Sequence, residues 1–224
     1  VNASARRVEA EILDELPPED PAARASRRDL RLLNRFLGNW EWTLGLLRRR
    51  LRPHQRIVEL GAGEGAWGRY LWGRRDHLPP FAYTGVDRSP RPAGWPGAWD
   101  WEQRDLREGW GRDGPPDLLL VHLLLHHFED GELAALGELF RPVSLWVFCE
   151  PRRVRWTRTK DFLLRLGGAH PVTRHDARVS VAAGFRGEEL PELLAAGDPG
   201  RRMRVEESPR GAYRLEAWRE ESAS

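Results

Sequence analysis

Gly61, Gly63 and Gly65 stand at alternate positions directly after the apolar run Ile57-Val58-Glu59-Leu60. Glycine has no β-carbon, so such a loop can turn sharply and lets a ligand approach the main chain closely. Ala66 to Trp72 can continue as a helix whose first amides point back at the loop, a setting for an anionic or strongly polar group. Asp87 closes a second apolar stretch, where a carboxylate can accept hydrogen bonds from both hydroxyls of a ribose. The competing reading is an acid that starts the turn at Ser89-Pro90. His126 and His127 are adjacent, and an imidazole with a pKa near 6.5 can take the proton of a hydroxyl at neutral pH. Against that stands a pair that hydrogen-bonds locally and shapes a loop. Cys149 is the only cysteine, so the chain forms no internal disulfide and no multi-cysteine metal site. It reads best as a small buried strand residue.

These residues need strands that end where the chemistry begins. Residues 57–60 are long enough for one buried parallel strand, and residues 81–87 for a second that ends in an acid. A third precedes Asp105, residues 116–122 make a fourth that runs on into Leu123-Leu124-Leu125-His126-His127-Phe128, and residues 144–149 make a fifth leading to Glu150-Pro151-Arg152-Arg153. Helices are expected at 132–140 and 187–196. Runs at 203–207 and 212–218, joined by Ser208-Pro209-Arg210-Gly211, predict a terminal hairpin. Residues 1–52 read as a helical cap set apart from a domain at 53–224. Within the cap, Ser4 to Leu16 can form one amphipathic helix ended by Pro17-Pro18. From Asp29, the residues Leu30, Leu33, Leu37, Trp40, Leu44, Leu47 and Leu51 form one helical stripe, with Gly38 and Gly45 as candidate breaks. A coiled coil is the weaker reading, because the stripe barely reaches three heptads. Trp95 and Trp99, in the Pro/Gly/Trp-rich stretch 90–100, are candidates for a pocket wall or for packing onto the core.

Composition excludes several classes. With 224 residues, 40% hydrophobic and 31% charged, the chain is an ordinary globular protein. No apolar run approaches a membrane span, and no export signal is visible, so a cytoplasmic protein is expected. Arginines cluster at 48–52, 152–158 and 201–204, where they could meet phosphates. Acids nearly balance them, leaving a net charge of +2, so nucleic acid is not the expected partner.

The glycine loop leaves two cofactors open. Gly61-x-Gly63-x-x-Ala66 fits a dinucleotide fingerprint, with Asp87 near the distance of a ribose-binding acid. Glu59-x-Gly61-x-Gly63-x-Gly65, by contrast, resembles motif I of the class I S-adenosylmethionine-dependent methyltransferases. Asp105-Leu106 resembles that family's adenine motif, the Leu-Leu-Leu-His-His-Phe stretch its motif after the fourth strand, and the terminal hairpin the end of its sheet. Together these cover about residues 54–218. Asn34-Arg35-Phe36-Leu37-Gly38-Asn39 and Gly168-Ala169-His170-Pro171-Val172-Thr173-Arg174-His175-Asp176 look like the bacterial small-molecule members associated with polyketide-type gene clusters.

The resemblance implies an α/β, Rossmann-like, doubly wound, mostly parallel sheet with a terminal antiparallel hairpin, plus the N-terminal helical cap. It implies S-adenosylmethionine as cofactor. Glu59, Gly61, Gly63 and Gly65 would surround its methionine part, Asp87 its ribose and Asp105 its adenine, with Ala62, Arg88, Leu106 and His122 also lining the site. His122 departs from the family, where Asn or Ser is frequent. The implied activity is methyl transfer to a small-molecule acceptor, a hydroxyl of a phenolic or polyketide-like compound, with His127 ahead of His126 as base. The alternatives are an RNA or protein methyltransferase, a non-catalytic cofactor-binding module, or an NAD-dependent oxidoreductase. The carboxylate-rich ligand set of the magnesium-dependent catechol enzymes is not evident, so no metal is expected. The chain is expected to be a monomer or homodimer.

Overall fold

The computed structural model describes residues 5–17, 19–111, 113–155, 162, 164–195, 198 and 200–219. Ser4, Pro18, Arg158 and Ala196, which figure in the sequence reading, lie outside them. Seven strands form one sheet: β1 (Gln55–Leu60), β2 (Phe81–Asp87), β3 (Asp100–Gln103), β4 (Leu118–His122), β5 (Leu145–Pro151), β6 (Arg201–Glu207) and β7 (Ala212–Arg219). Their order is β3-β2-β1-β4-β5-β7-β6. The first five are parallel, and β7 and β6 close the sheet as an antiparallel pair. The expected fold class is what the structure has.

The apolar runs work on two faces, because successive strand side chains point to opposite sides. Ile57, Leu118, Leu120 and Val147 pack under α3 (Asn39–Arg50) and α4 (Ala66–Trp72), with Leu46, Leu47, Trp67 and Leu71. Val58, Leu60, Leu119, Val121 and Phe148 face the other way. There they meet Leu133, Leu136 and Phe140 of α5 (Asp130–Phe140) and Leu190 and Leu194 of a helix at Glu189–Ala195. That last helix is α7, and α6 (Pro171–Ala183) precedes it. Both faces are covered, which is why the central strands are apolar throughout rather than alternating. Trp95 and Trp99 are buried, and Trp95 lies against Gly65, Gly68 and Gly85, so they pack onto the core.

Two expectations about the N-terminus are corrected. Among the described residues the first helix is only one turn, α1 (Ile12–Glu15), where the sequence predicts a helix from Ser4 to Leu16. The polar groups before it are taken by distant partners: Arg7 donates its amide to Ala182, and the Arg6 guanidinium reaches the carbonyls of His126, Phe128 and Ala183. The Asp176 carboxylate accepts from the amides of Ile12 and Leu13 and so caps the short turn from outside. The long stripe is two helices, α2 (Pro21–Leu37) and α3, divided at Gly38, whose φ of +70° is the left-handed conformation that glycine adopts most readily. Gly45 stays inside α3. Helix α2 also begins earlier than its apolar stripe, with Asp20 capping the Ala22 amide and Pro21 in the first turn. No helix among the described residues is long and apolar enough to cross a membrane.

Candidate active site

The glycine loop folds back over the end of β2. The amides of Gly61 and Ala62 both donate to the Val86 carbonyl, at 2.9 and 3.1 Å, and Gly65 donates to Ala62. Gly61, Gly63 and Gly65 have φ values of +68°, +55° and +68°, so the alternate spacing in the sequence marks three left-handed residues. Helix α4 starts at the next residue, as expected. Around Gly63 the space that a β-carbon would enter is open, with only the Gly61 carbonyl at 4.0 Å.

Asp87 sits at the C-terminal end of β2, next to this opening. One carboxylate oxygen accepts from the Gly63 amide at 2.7 Å and the other from the Ser89 amide at 2.8 Å. The turn-starting role and the loop-facing role are therefore both real. Asp105 stands past β3, where it caps a short 3-10 turn by accepting from the Arg107 amide at 2.9 Å. Arg88 bonds the same carboxyl at 2.6 Å. That amide bond and the Arg88 guanidinium, against some burial, hold the Asp105 carboxyl below its ordinary pKa. Leu106 is half-buried and packs on the core face that carries α5. Arg27 and Arg31 of α2 reach Glu64 in the loop, so α2 is tied to the rim of the opening.

Glu59 and His122 lie deeper. The buried Glu59 accepts from the Tyr83 hydroxyl at 2.6 Å, and the His122 Nδ1 stands 3.7 Å from Glu59. His122 Nε2 meets the Thr43 hydroxyl at 3.0 Å, and the imidazole leans on Trp67. Cys149, opposite His122 in the β4–β5 register, is buried in the same cluster. Burial opposes a charge on His122, but Cys149 and Glu59 outweigh it and push its pKa up to about 9. These two residues belong to a polar network beneath the glycine loop.

The two histidines after β4 differ sharply. Strand β4 ends where Leu123 takes a φ of +54°, and Leu125–His127 form a 3-10 turn. Glu150, fully buried at the end of β5, accepts from the amides of Leu124, Leu125 and His126. It also holds His126 Nδ1 at 2.7 Å. The other nitrogen of His126 lies 3.4 Å from Glu11. Burial disfavours charge on His126, yet Glu11 and Glu150 raise its pKa to about 9. His127 is half-buried, and its Nδ1 lies 3.6 Å from Asp14. Burial, then the charge on His126, lowers its pKa, so it stays neutral at neutral pH. One histidine is locked between carboxylates, and its neighbour keeps a lone pair.

Sequence reasoning missed Glu150 and Glu11. An acid ending the otherwise apolar strand Leu-Trp-Val-Phe-Cys-Glu was a signal for the first; nothing local marks the second. Many clustered arginines are committed within the fold: Arg50 to Glu216, Arg152 to Glu207, Arg153 to Glu189 and Arg201 to Asp198. These four guanidinium groups are already paired with carboxylates. A cleft lined by Trp42, Arg49, Arg204, Glu206 and Glu216 includes none of the candidate residues.

Strand order, hairpin and glycine loop together define the fold of the class I methyltransferases, and solved structures bear this out. The chain is similar to the plantazolicin methyltransferase BpumL in complex with SAH, at 14% identity and a TM-score of 0.67 over 91% of this chain and 92% of that one. It is also similar to magnesium protoporphyrin IX methyltransferase (ChlM) from Synechocystis PCC 6803 with bound SAM, at 13% identity and a TM-score of 0.56 over 87% and 84%. The methyltransferase domain of bacterial CtHen1 matches at 15% identity and a TM-score of 0.52 over 84% and 99%. No protein-family sequence model matches this chain, and no curated protein sequence does.

Proposed function

We propose that this protein is an S-adenosylmethionine-dependent methyltransferase acting on a small-molecule acceptor, at a hydroxyl of a phenolic or polyketide-like compound. The observation that carries the reading is the open cradle above Gly63, bounded by three left-handed glycines and by Asp87, at the carboxyl edge of a sheet with this strand order. Ligands of open α/β sheets bind at that edge. The residues fit the cofactor: the backbone of 61–65 and the loop's helix start suit its amino-acid end, Asp87 its ribose hydroxyls, and Asp105 with Leu106 its adenine. Glu59 and His122 act from beneath, by holding the loop. The similar structures that hold SAH or SAM support the same assignment.

The cofactor supplies a methyl group already activated by a positive sulfur, so no protein nucleophile is needed. Most of the acceleration then comes from holding the acceptor close and aligned. His127 takes the acceptor's proton, because it is the neutral histidine of the pair, while His126 is held between Glu150 and Glu11 and positions it. Residues 1–52 serve as a cap over a domain at 53–224. Arg6, Glu11 and Asp14 lie against the turn after β4, and α2 is tied to the glycine loop, so this segment excludes water from the carboxyl edge. Helix α3 does double duty, since its inner face is core.

Calorimetry with S-adenosylhomocysteine, set beside NAD, tests the reading. One-to-one binding of the former is expected. Binding of NAD alone overturns the assignment.

A further inference from the structure

Glu11 stands far from the adjacent His126 and His127 along the chain, yet each offers a ligand atom within 4.8 Å of the others'. Their arrangement has more than proximity in it. His126 Nε2 is buried without a hydrogen-bond partner, and it is aimed at Glu11 Oε1, 3.4 Å away. Two ligands each roughly 2.0–2.1 Å from a tetrahedral ion stand about 3.4 Å apart. The other face of the His126 ring is fixed by Glu150, at 2.7 Å from Nδ1. With one ring proton held on Nδ1 by Glu150, an ion displaces any proton on Nε2 and takes its lone pair, the tautomer of a ligating histidine, and a carboxylate behind the ring is the usual support of such a ligand. Glu11 is oriented in turn by the Ser180 hydroxyl, which donates to its Oε1. The two imidazoles lie side by side, with ring centres 4.2 Å apart. His127 is 27% exposed in its side chain and Asp14 is more open still, which leaves a route for an ion.

We propose that Glu11, His126 and His127 form a binding site for one divalent transition-metal ion of the zinc class. Two imidazoles and one carboxylate suit zinc, cobalt or nickel, whereas magnesium prefers an all-oxygen shell. Three protein ligands leave a fourth position open. The sequence expectation of no metal rested on the absence of a carboxylate-rich ligand set; this site needs only one carboxylate, delivered by a distant segment. Resting on the methyltransferase reading, one consequence follows. An ion ligated by His127 occupies the lone pair that accepts the hydroxyl proton, so metal loading and base catalysis by His127 exclude each other.

The test is a titration of chelator-treated full-length protein with cobalt chloride, read by visible absorption, followed by displacement with zinc. One equivalent of cobalt with an intense tetrahedral band is expected, lost in Glu11→Gln and in His127→Ala. Glu150→Gln, which touches no ion, is expected to weaken zinc binding by about 10- to 100-fold. His126→Ala risks the fold, so circular dichroism accompanies every variant and Glu11→Gln carries the argument. A folded wild type that develops no band overturns the proposal, and leaves His126 as an imidazolium bridging two carboxylates. A band that survives unchanged in Glu11→Gln and His127→Ala also overturns it, as an adventitious ion only. Calorimetry with S-adenosylhomocysteine on the same metal-free sample reports separately on the methyltransferase reading.

Discussion

Replacing Asp87 separates two tasks performed by one carboxylate. Its oxygens accept from the Gly63 and Ser89 amides at 2.7 and 2.8 Å, which closes the glycine loop onto the end of β2. A hydrogen bond to a charged group contributes about 1.5–3 kcal/mol, and the half-buried setting of Asp87 argues for the lower end. Asp87→Ala is therefore expected to lower stability by about 2 kcal/mol, since both amides can turn to water. Binding suffers more. The ribose hydroxyls lose their acceptor and the loop loses its clamp, together about 3 kcal/mol, or on the order of 100-fold in affinity. Asp87→Asn keeps one acceptor oxygen and is expected to fall between. Urea denaturation measures the first effect, and calorimetry with S-adenosylhomocysteine the second. If Asp87→Ala is folded and binds within threefold of wild type, the carboxylate faces the loop only and the ribose assignment is wrong.

Gly63→Ala is expected to cost about 1–2 kcal/mol of stability through its left-handed backbone, because its β-carbon meets no nearer atom than the Gly61 carbonyl at 4.0 Å. Binding of S-adenosylhomocysteine is expected to fall much further, and calorimetry that shows unchanged affinity would place the ligand elsewhere. With an acceptor in hand, His127→Ala is expected to slow single-turnover methyl transfer by about 10²–10⁴-fold at unchanged cofactor affinity. A loss under tenfold leaves positioning as the whole mechanism. His126→Ala instead strands the buried carboxylates Glu11 and Glu150 and is expected to destabilise the fold by about 3–5 kcal/mol in urea. His122, raised from 6.5 to about 9 in the fold, contributes a stability that is complete below about pH 6.5 and is lost as pH rises towards 9. The full amplitude is about 3 kcal/mol. His126 titrates in the same direction, so the check is the difference between wild type and His122→Asn in urea midpoint at pH 6 and pH 9.5. Equal slopes for the two proteins would show that His122 is not charged in the fold.

Much of this protein was legible in one dimension. The apolar runs at 57–60, 81–86 and 118–121, the left-handed glycines at 61, 63 and 65, and the hairpin turn at 208–211 are local features. Each follows from a short continuous apolar run bounded by turn residues or from a backbone conformation that few residues adopt, so local sequence alone located them. The parallel order of the strands was reached through resemblance, because periodicity does not say which strand lies beside which. What the tertiary structure decided were pairings between distant segments. The chain from Ser4 to Leu16 carries a helical pattern, yet among its described residues only Ile12–Glu15 is helical, since the polar groups before it are satisfied on the turn after β4 and on α6. The two adjacent histidines are equivalent in sequence, but Glu150 and Glu11 close on one of them and leave its neighbour a lone pair. A charge's effect depends on distance in space and on the water it excludes, and neither is written along the chain.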